Sequence, residues 1–402
     1  MIALAIFAGT YLVLAIGGLP GFRIDRTGAA IIGASLMVGF NVLTFEEAIQ
    51  AVDHSTLVLL FGMMIVVANL RLSGFFRVVA ARAIEHAHRP KTLLAAIVAV
   101  AGVFSAFFVN DTMCLVLTPL VLEVATTLGR NPVPYLLAVA MAANVGSVAT
   151  ITGNPQNMMI GALSGIPYRA FAAALTPVAL TGLVMTFAVI VVSFRQEFRD
   201  VARVEVAPLR VRVNRVLLIK SLVMSAAMIV FFFLGWPVAK VAIVAGALLL
   251  ITRRVKPEKV YHEIDWSLLA MFAGLFIVVA GVEKTSLEEE LVALAAQFHL
   301  DRVGVLTALS TLLSNLVSNV PAVLVFRPIV AHLEDPQRGW LVLAMSSTLA
   351  GNLTILGSVA NLIVVQRARR EAPISFWQYF RVGAPLTVLT LIAGALWLSW
   401  VR

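Results

Sequence analysis

The chain interrupts its apolar segments in the same way twice, 204 to 212 residues apart, and few folds tolerate such interruptions. Val109-Asn110-Asp111-Thr112 with Pro119 returns as Ser318-Asn319-Val320-Pro321 with Pro328, so Asn110 and Pro119 both recur at a spacing of 209. Gly153-Asn154-Pro155-Gln156-Asn157 returns as Gly357-Ser358-Val359-Ala360-Asn361 at a spacing of 204. Upstream, Asp53, Gly62 and Ile65-Val66-Val67-Ala68 match Asp265, Gly274 and Ile277-Val278-Val279-Ala280 at 212. Landmarks held this closely in step describe a duplicated chain. Gly, Pro and polar breaks at corresponding places of two apolar halves are the sequence mark of a secondary transporter's binding site.

The segments being interrupted belong in a membrane. Of the 402 residues 60% are hydrophobic and 13% charged, about half the charged share of ordinary soluble domains. Mean hydropathy is +0.97. Stretches such as 2–19, 55–70, 172–194 and 378–400 approach or reach the ~20 apolar residues that cross a hydrocarbon core. They cross as helices, because lipid offers the backbone no hydrogen-bond partners.

A net charge of +9 invites a nucleic-acid reading, which the placement of the cations argues against. Of the 30 Lys and Arg, 23 fall in loops on one side, among them Arg23, Arg26, Arg71, Arg77, Arg130, the run from Arg195 to Lys220, Arg253 to Lys259, and Arg367 to Arg381. The opposite loops are poor in cations or acidic, as at Glu46-Glu47 and Glu288-Glu289-Glu290. By the positive-inside rule the basic side is cytoplasmic. The excess is a topology signal, which places both termini outside an inner (plasma) membrane. No cation precedes Arg23, so the first segment lacks a signal peptide's basic start and reads as a retained helix. The single cysteine, Cys114, excludes an intrachain disulfide framework, and no metal-ligand spacing is present.

These constraints give an all-α polytopic membrane protein of about 10 transmembrane helices, two re-entrant hairpins and two broken helices. The first repeat covers 1–194, with a hairpin near 92–128 and a broken helix near 134–163. A cytoplasmic linker at 195–215 leads to the second repeat, 216–402, with a hairpin near 302–334 and a broken helix near 339–366. Five crossings per half is an odd number, so the second repeat is expected to be inverted relative to the first. Each hairpin runs from an apolar arm through a polar tip into a second arm with almost no loop, which suits a tip at mid-depth against protein or a water-filled cavity.

Asp111 is the outstanding polar residue. A carboxylate in an apolar span costs ~2.5–3.5 kcal/mol on insertion scales and marks a proton or ion path. Asn110 and Asn319 can bind a solute or cap the second hairpin arm. Glu123 is either a second proton stop or a snorkelling acid, and Arg327 either attracts an anion or pairs with an acid. Cys114 between Met113 and Leu115 reads as packing. Asp53 and Asp265, at helix starts, read as caps.

At these residues the chain resembles the ion transporter superfamily that includes ArsB arsenite pumps, NhaD sodium/proton antiporters, citrate transporters and sodium-coupled dicarboxylate symporters. Asn110-Asp111-Thr112 with Leu117-Thr118-Pro119, the stretch from Gly146-Ser147 to Asn157, Ser73-Gly74-Phe75-Phe76, and Asn319 followed by Pro321 look most like ArsB and the plant silicic-acid effluxers. The resemblance implies a scaffold domain that makes a homodimer, a mobile domain carrying hairpins and broken helices, and, as in ArsB systems, a cytoplasmic ATPase partner. The dicarboxylate symporters carry Ser-Asn-Thr at both tips, whose oxygens help to bind sodium. Here Val109-Asn110-Asp111 and Ser318-Asn319-Val320 lose three of the hydroxyls and gain an acid. That departure favours H+ over Na+ as coupling ion.

The function expected is proton-coupled efflux of arsenite, antimonite or a similar small inorganic oxyacid by alternating access, with no cofactor and no metal. Asp111 would carry the proton. Asn110, Thr112, Gly153, Asn154, Asn157, Ser318, Asn319, Gly357, Ser358 and Asn361 would contact solute or ion. An anion or dicarboxylate permease using Arg327 is the alternative within transport. A membrane-embedded enzyme would need a second catalytic acid or a metal cluster, and neither is spaced for it.

Overall fold

The structure is a computed structural model that describes residues 1–18, 21–85, 87, 89–199, 213–253, 255–285 and 297–400. Most of the expected linker (200–212), Arg254 and the acids Glu288, Glu289 and Glu290 lie outside the described residues. Every regular element among the described residues is helical, and the chain is a multi-pass membrane protein.

Sixteen principal helices fall into two series of eight. The first comprises α1 (Ile2–Ile16), α2 (Arg26–Gly39), α3 (His54–Ser73), α4 (Pro90–Phe107), α5 (Asn110–Thr127), α6 (Pro132–Ser147), α7 (Pro155–Ser164) and α8 (Tyr168–Ser193). The second comprises α9 (Arg215–Phe233), α10 (Val238–Leu250), α11 (Trp266–Glu283), α12 (Val303–Val317), α13 (Asn319–Ala331), α14 (Pro336–Ala350), α15 (Val359–Ala368) and α16 (Phe376–Trp400). Short 3-10 turns, Ile151–Gly153 and Ile355–Gly357, precede α7 and α15. Polar side chains start the helices. Asp53 Oδ1 accepts from Thr56 N at 2.6 Å and Asp265 Oδ1 from Leu268 N at 2.9 Å, each satisfying a donor that helix geometry leaves free.

The two series pack crosswise. Helix α3 lies on α10 and α11 on α2; α5 lies on α15 and α13 on α7; α8 meets α16. At the centre, α6 is buried from Pro134 to Ser147 and α14 from Gly339 to Ala350, as befits helices apolar all round. Helices α8, α9 and α16 instead present exposed Val184, Ile219 and Leu396. Close approach at the core depends on glycine: a Cβ on Gly146 of α6 would lie 2.1 Å from the Gly102 carbonyl of α4.

Six described helices, α3, α4, α8, α9, α11 and α16, are long and apolar enough to cross a membrane. Others are short. Helices α1, α2, α6 and α10 have 15, 14, 16 and 13 residues, about 20–24 Å against a ~30 Å hydrocarbon core. Such elements are accommodated by local thinning or by neighbouring helices. One helix stands where the cations predict a basic loop: Phe75–Glu85 buries Phe76, Ala80, Ala81 and Ile84 while Arg77 and Arg82 stay exposed, the pattern of an interfacial amphipathic helix.

Candidate functional site

Each half breaks one helix with the same chemistry. Asn154 opens α7 by accepting from Asn157 N at 2.8 Å, and Asn157 Nδ2 donates back to the carbonyls of Ser147 and Thr150, both at 3.1 Å. In the second half Ser358 opens α15 by accepting from Ala360 N at 3.2 Å, and Asn361 Nδ2 donates to the carbonyls of Gly351 and Thr354 at 2.6 and 2.9 Å. The Ser147 and Gly351 carbonyls lie at the ends of α6 and α14, where helix geometry leaves acceptors without donors, and those of Thr150 and Thr354 also accept from Gly153 N and Gly357 N. Asn157 and Asn361 thus close the breaks themselves. Gly153 is needed for the turn, since a Cβ there would stand 2.1 Å from the Ser147 carbonyl.

The carbonyl oxygens of those two Asn are used by the other half. Asn361 Oδ1 accepts from Asn144 Nδ2 at 3.0 Å, and Asn157 Oδ1 accepts from Thr348 Oγ1 at 3.4 Å. Asn144 and Thr348 are themselves 204 residues apart, on the central helices α6 and α14, so each central helix reads the opposite break. Asn144 also donates to Asn352 Oδ1 at 2.9 Å and accepts from Asn110 Nδ2 at 2.9 Å and Ser358 Oγ at 3.1 Å. Two donors and two lone pairs are then occupied, the full capacity of an amide. Thr348 Oγ1 accepts from Asn154 Nδ2 at 3.1 Å and Gln156 Nε2 at 3.2 Å.

The hairpin tips add two free acceptors. Between α4 and α5 the backbone turns at Val109 with φ 30°, and between α12 and α13 at Ser318 with φ 79°. Such angles cost side-chain-bearing residues ~1–3 kcal/mol and cluster at functional sites. The next residue in each case is Asn, and the buried Asn110 Oδ1 and Asn319 Oδ1 accept no hydrogen bond from the described residues. Other buried polar atoms, Asn69 Oδ1 and Asn315 Oδ1 among them, also lack a partner among the described residues; what distinguishes Asn110 and Asn319 is their equivalent place at the two tips.

The remaining expected residues are dispersed. Asp111 and Thr112 line a separate cavity of about 140 Å³ that Met64, Val67, Arg71, Glu263 and Asp265 also border. Arg327 is ion-paired with Glu283 at 3.7 Å, both half-buried. Glu123 is exposed beside Arg367 and Glu371 at another cavity. Cys114 is fully buried against the Val139 carbonyl. No group of three metal-ligating side chains occurs among the described residues.

Sequence reasoning missed Asn144, Thr348 and Asn352. The signal available was the spacing: carried nine residues upstream of Gly153 and Gly357, it pairs Asn144 with Thr348, polar at both positions.

Comparison with known proteins accords with this geometry. A family model described as citrate transporter matches residues 4–350. The silicon efflux transporter LSI3 of Oryza sativa subsp. japonica is 30% identical over 96% of this chain and 95% of its own. The transporter arsB of Dictyostelium discoideum is 22% identical over 92% and 86%. The YdaH transporter of Alcanivorax borkumensis, whose crystal structure is described as having an unusual topology, superposes over 99% of this chain and 96% of its own with a TM-score of 0.65 at 14% identity, a likeness of fold alone. With 347 of 402 residues inside the family model, the chain belongs to the citrate transporter family and is a membrane transporter.

Proposed function

We propose that this transporter exports a small uncharged oxyacid, arsenite or antimonite first, in exchange for protons across the inner membrane. The observation that carries the reading is the chemistry at the centre: Asn110, Asn144, Asn361, Ser358, Asn154 and Thr348 present amides and hydroxyls, with the tip oxygens of Asn110 and Asn319 open as acceptors. A neutral hydroxide has O–H groups to donate to those oxygens and needs no counter-charge. An anion brings only acceptors and would meet these oxygens unfavourably. Silicon efflux by a relative matched along nearly the whole chain supports an oxyacid substrate. Asp111, in its own cavity beside the first tip, is the proton carrier, and H+ is the coupling ion in place of Na+. The cation count and the crosswise pairing of α1–α8 with α9–α16 support alternating access by an inverted pair of repeats.

A second reading, a citrate-like anion permease, draws on the description of the family model. It would require Arg327 to leave Glu283 and meet the substrate.

Uptake into everted vesicles separates the two. Arsenite, silicic acid and citrate are offered with and without a pH gradient, to the wild type, Asp111→Asn and Arg327→Gln. Gradient-driven arsenite or silicic acid uptake that Asp111→Asn abolishes and Arg327→Gln spares is the expected result. Citrate uptake lost in Arg327→Gln would replace the oxyacid reading, and pH-driven transport surviving in Asp111→Asn would remove Asp111 from coupling.

A further inference from the structure

We infer that Arg71 and Glu263 form an ionic gate over the cavity of Asp111. The cavity runs along α3 from Met64 to Arg71, seven residues, about 10 Å of helix. Its inner part is apolar apart from Asp111 and Thr112, with Met64, Val67 and Ala68 on one wall and Leu115 and Ile363 on others. Its outer part carries the charge. Arg71 occupies the last turn of α3, and Glu263 lies between the short helix Pro257–Tyr261 and α11. Their side chains meet at 2.5 Å, 34% and 18% exposed, so a residue of the first series and one of the second close the same opening.

The charges around this pair make it a contact that can be exchanged. Asp111 and Asp265 border the same cavity, and Arg367, at the end of α15, bears on Arg71 with like charge. Asp265 is occupied as the cap of α11 through Leu268 N. Arg71 therefore has two alternative carboxylates along the cavity, Asp111 and the second oxygen of Asp265, and one nearby cation favouring its departure from Glu263. While Arg71 holds Glu263, the pair narrows the route from the bulk to the half-buried Asp111. When the pair parts, water reaches Asp111, and the guanidinium can turn inward to balance its carboxylate after the proton leaves. Arg71 and Glu263 are positioning residues that control access; neither carries the proton. The inference rests on the proposed coupling role of Asp111 for its purpose. The gate itself is a statement about access.

The test reads access directly. With Cys114 replaced by Ser, the chain has no other thiol, and a cysteine at Thr112, which lines the cavity, reports its opening. In reconstituted vesicles, a membrane-impermeant methanethiosulfonate should label Thr112→Cys slowly. Glu263→Gln should speed labelling about fivefold, the population shift that loss of one partly buried ion pair allows. The charge swap Arg71→Glu with Glu263→Arg should restore slow labelling, which general loosening of the fold would not do. A Val67→Cys reporter repeats the measurement if Thr112→Cys fails to assemble. Equal labelling with and without the ion pair, or fast labelling in the charge swap, overturns the gate. Asp111 is untouched in every variant, so failure of its coupling role would appear only in the Asp111→Asn vesicle assay.

Discussion

Replacing Asn144 by Ala severs four hydrogen bonds at once, those to Asn110, Asn352, Asn361 and Ser358. Hydrogen bonds between membrane helices average ~0.6 kcal/mol and reach ~1.7, so four amount to about 2.5 kcal/mol and at most about 7. The lower figure is the better guide, because three of the four partners keep other hydrogen bonds, Asn352 to the Met141 carbonyl, Asn361 to the Gly351 and Thr354 carbonyls, and Ser358 from Ala360 N. At an unfolding entropy of ~2.1 cal/mol/K per residue, a chain of this length loses on the order of 3 °C in Tm. Thermal unfolding in detergent, followed by the fluorescence of six Trp, reads that shift. A double-mutant cycle with Ser358→Ala isolates one bond and should show coupling of about 0.6 kcal/mol. Asn144→Asp keeps both acceptor bonds, loses both donors and adds a buried charge facing two amide oxygens, so it should be worse than Ala. An unchanged Tm in Asn144→Ala, or strict additivity in the cycle, would refute the hub.

Three further outcomes follow from other contacts. Gly146→Val should cost about 1–3 kcal/mol by overpacking, since α4 must withdraw from the Gly102 contact; the same Tm assay reads it. Asp53→Ala and Asp265→Ala should each cost about 1 kcal/mol through loss of a cap, with Asn in either position restoring most of it. Lys284 donates to both carboxylate oxygens of Glu47 at 2.7 and 2.8 Å, and this hydrogen bond, ahead of that from Thr44 N, holds the Glu47 carboxyl below its ordinary range. A depressed folded value means stability that is present above the unfolded value and lost as pH falls through the folded one. The Tm difference between wild type and Lys284→Met should therefore shrink below the carboxylate range; a difference independent of pH would refute the pairing.

The elements were legible because their punctuation is local. The second hairpin arms begin at Asn110 and Asn319, the residues the repeat singled out, and α7 and α15 begin just after Asn154 and at Val359. Helix Phe75–Glu85 carried its own signal in Phe76, Ala80 and Ile84, four residues apart, which the attention given to its cations obscured. Asn144 carries no such signal. A lone amide within Val139–Val145 is unremarkable until the turn after α14 and the helix α15, more than 200 residues away, supply Asn352 and Asn361. Glu263 likewise carries no local signal, and its value lies in Arg71 of the other half. What escaped the sequence is the set of contacts made between halves.

Those contacts are unequal, and the inequality bears on how the molecule can move. Asn144 is long enough to hold the first tip, through Asn110, and the second half's break, through Ser358 and Asn361. Thr348, its counterpart, bonds Asn154, Gln156 and Asn157, all of the first half's break and none of the second tip. The second tip is held elsewhere, by Tyr11 Oη of α1 donating to the Pro321 carbonyl at 3.1 Å. The first tip is thus tied to the centre and the second tip to an outer helix, while the second hairpin's first arm α12 meets the centre away from its tip, through Ser310 Oγ and Ser346 Oγ at 2.6 Å and Asn315 Nδ2 donating to the Ala350 carbonyl at 3.0 Å. A stroke that shifts one hairpin against the other can leave Asn110, Asn144 and α15 together as one body while the Tyr11 contact breaks. Breaking the central amides instead would cost the four buried hydrogen bonds of Asn144 and leave the Asn110 side chain without a partner among the described residues. On the proposed function, the difference between the tips, an acid beside the first and none at Val320, then has a mechanical side: the tip that carries Asp111 would travel with α15.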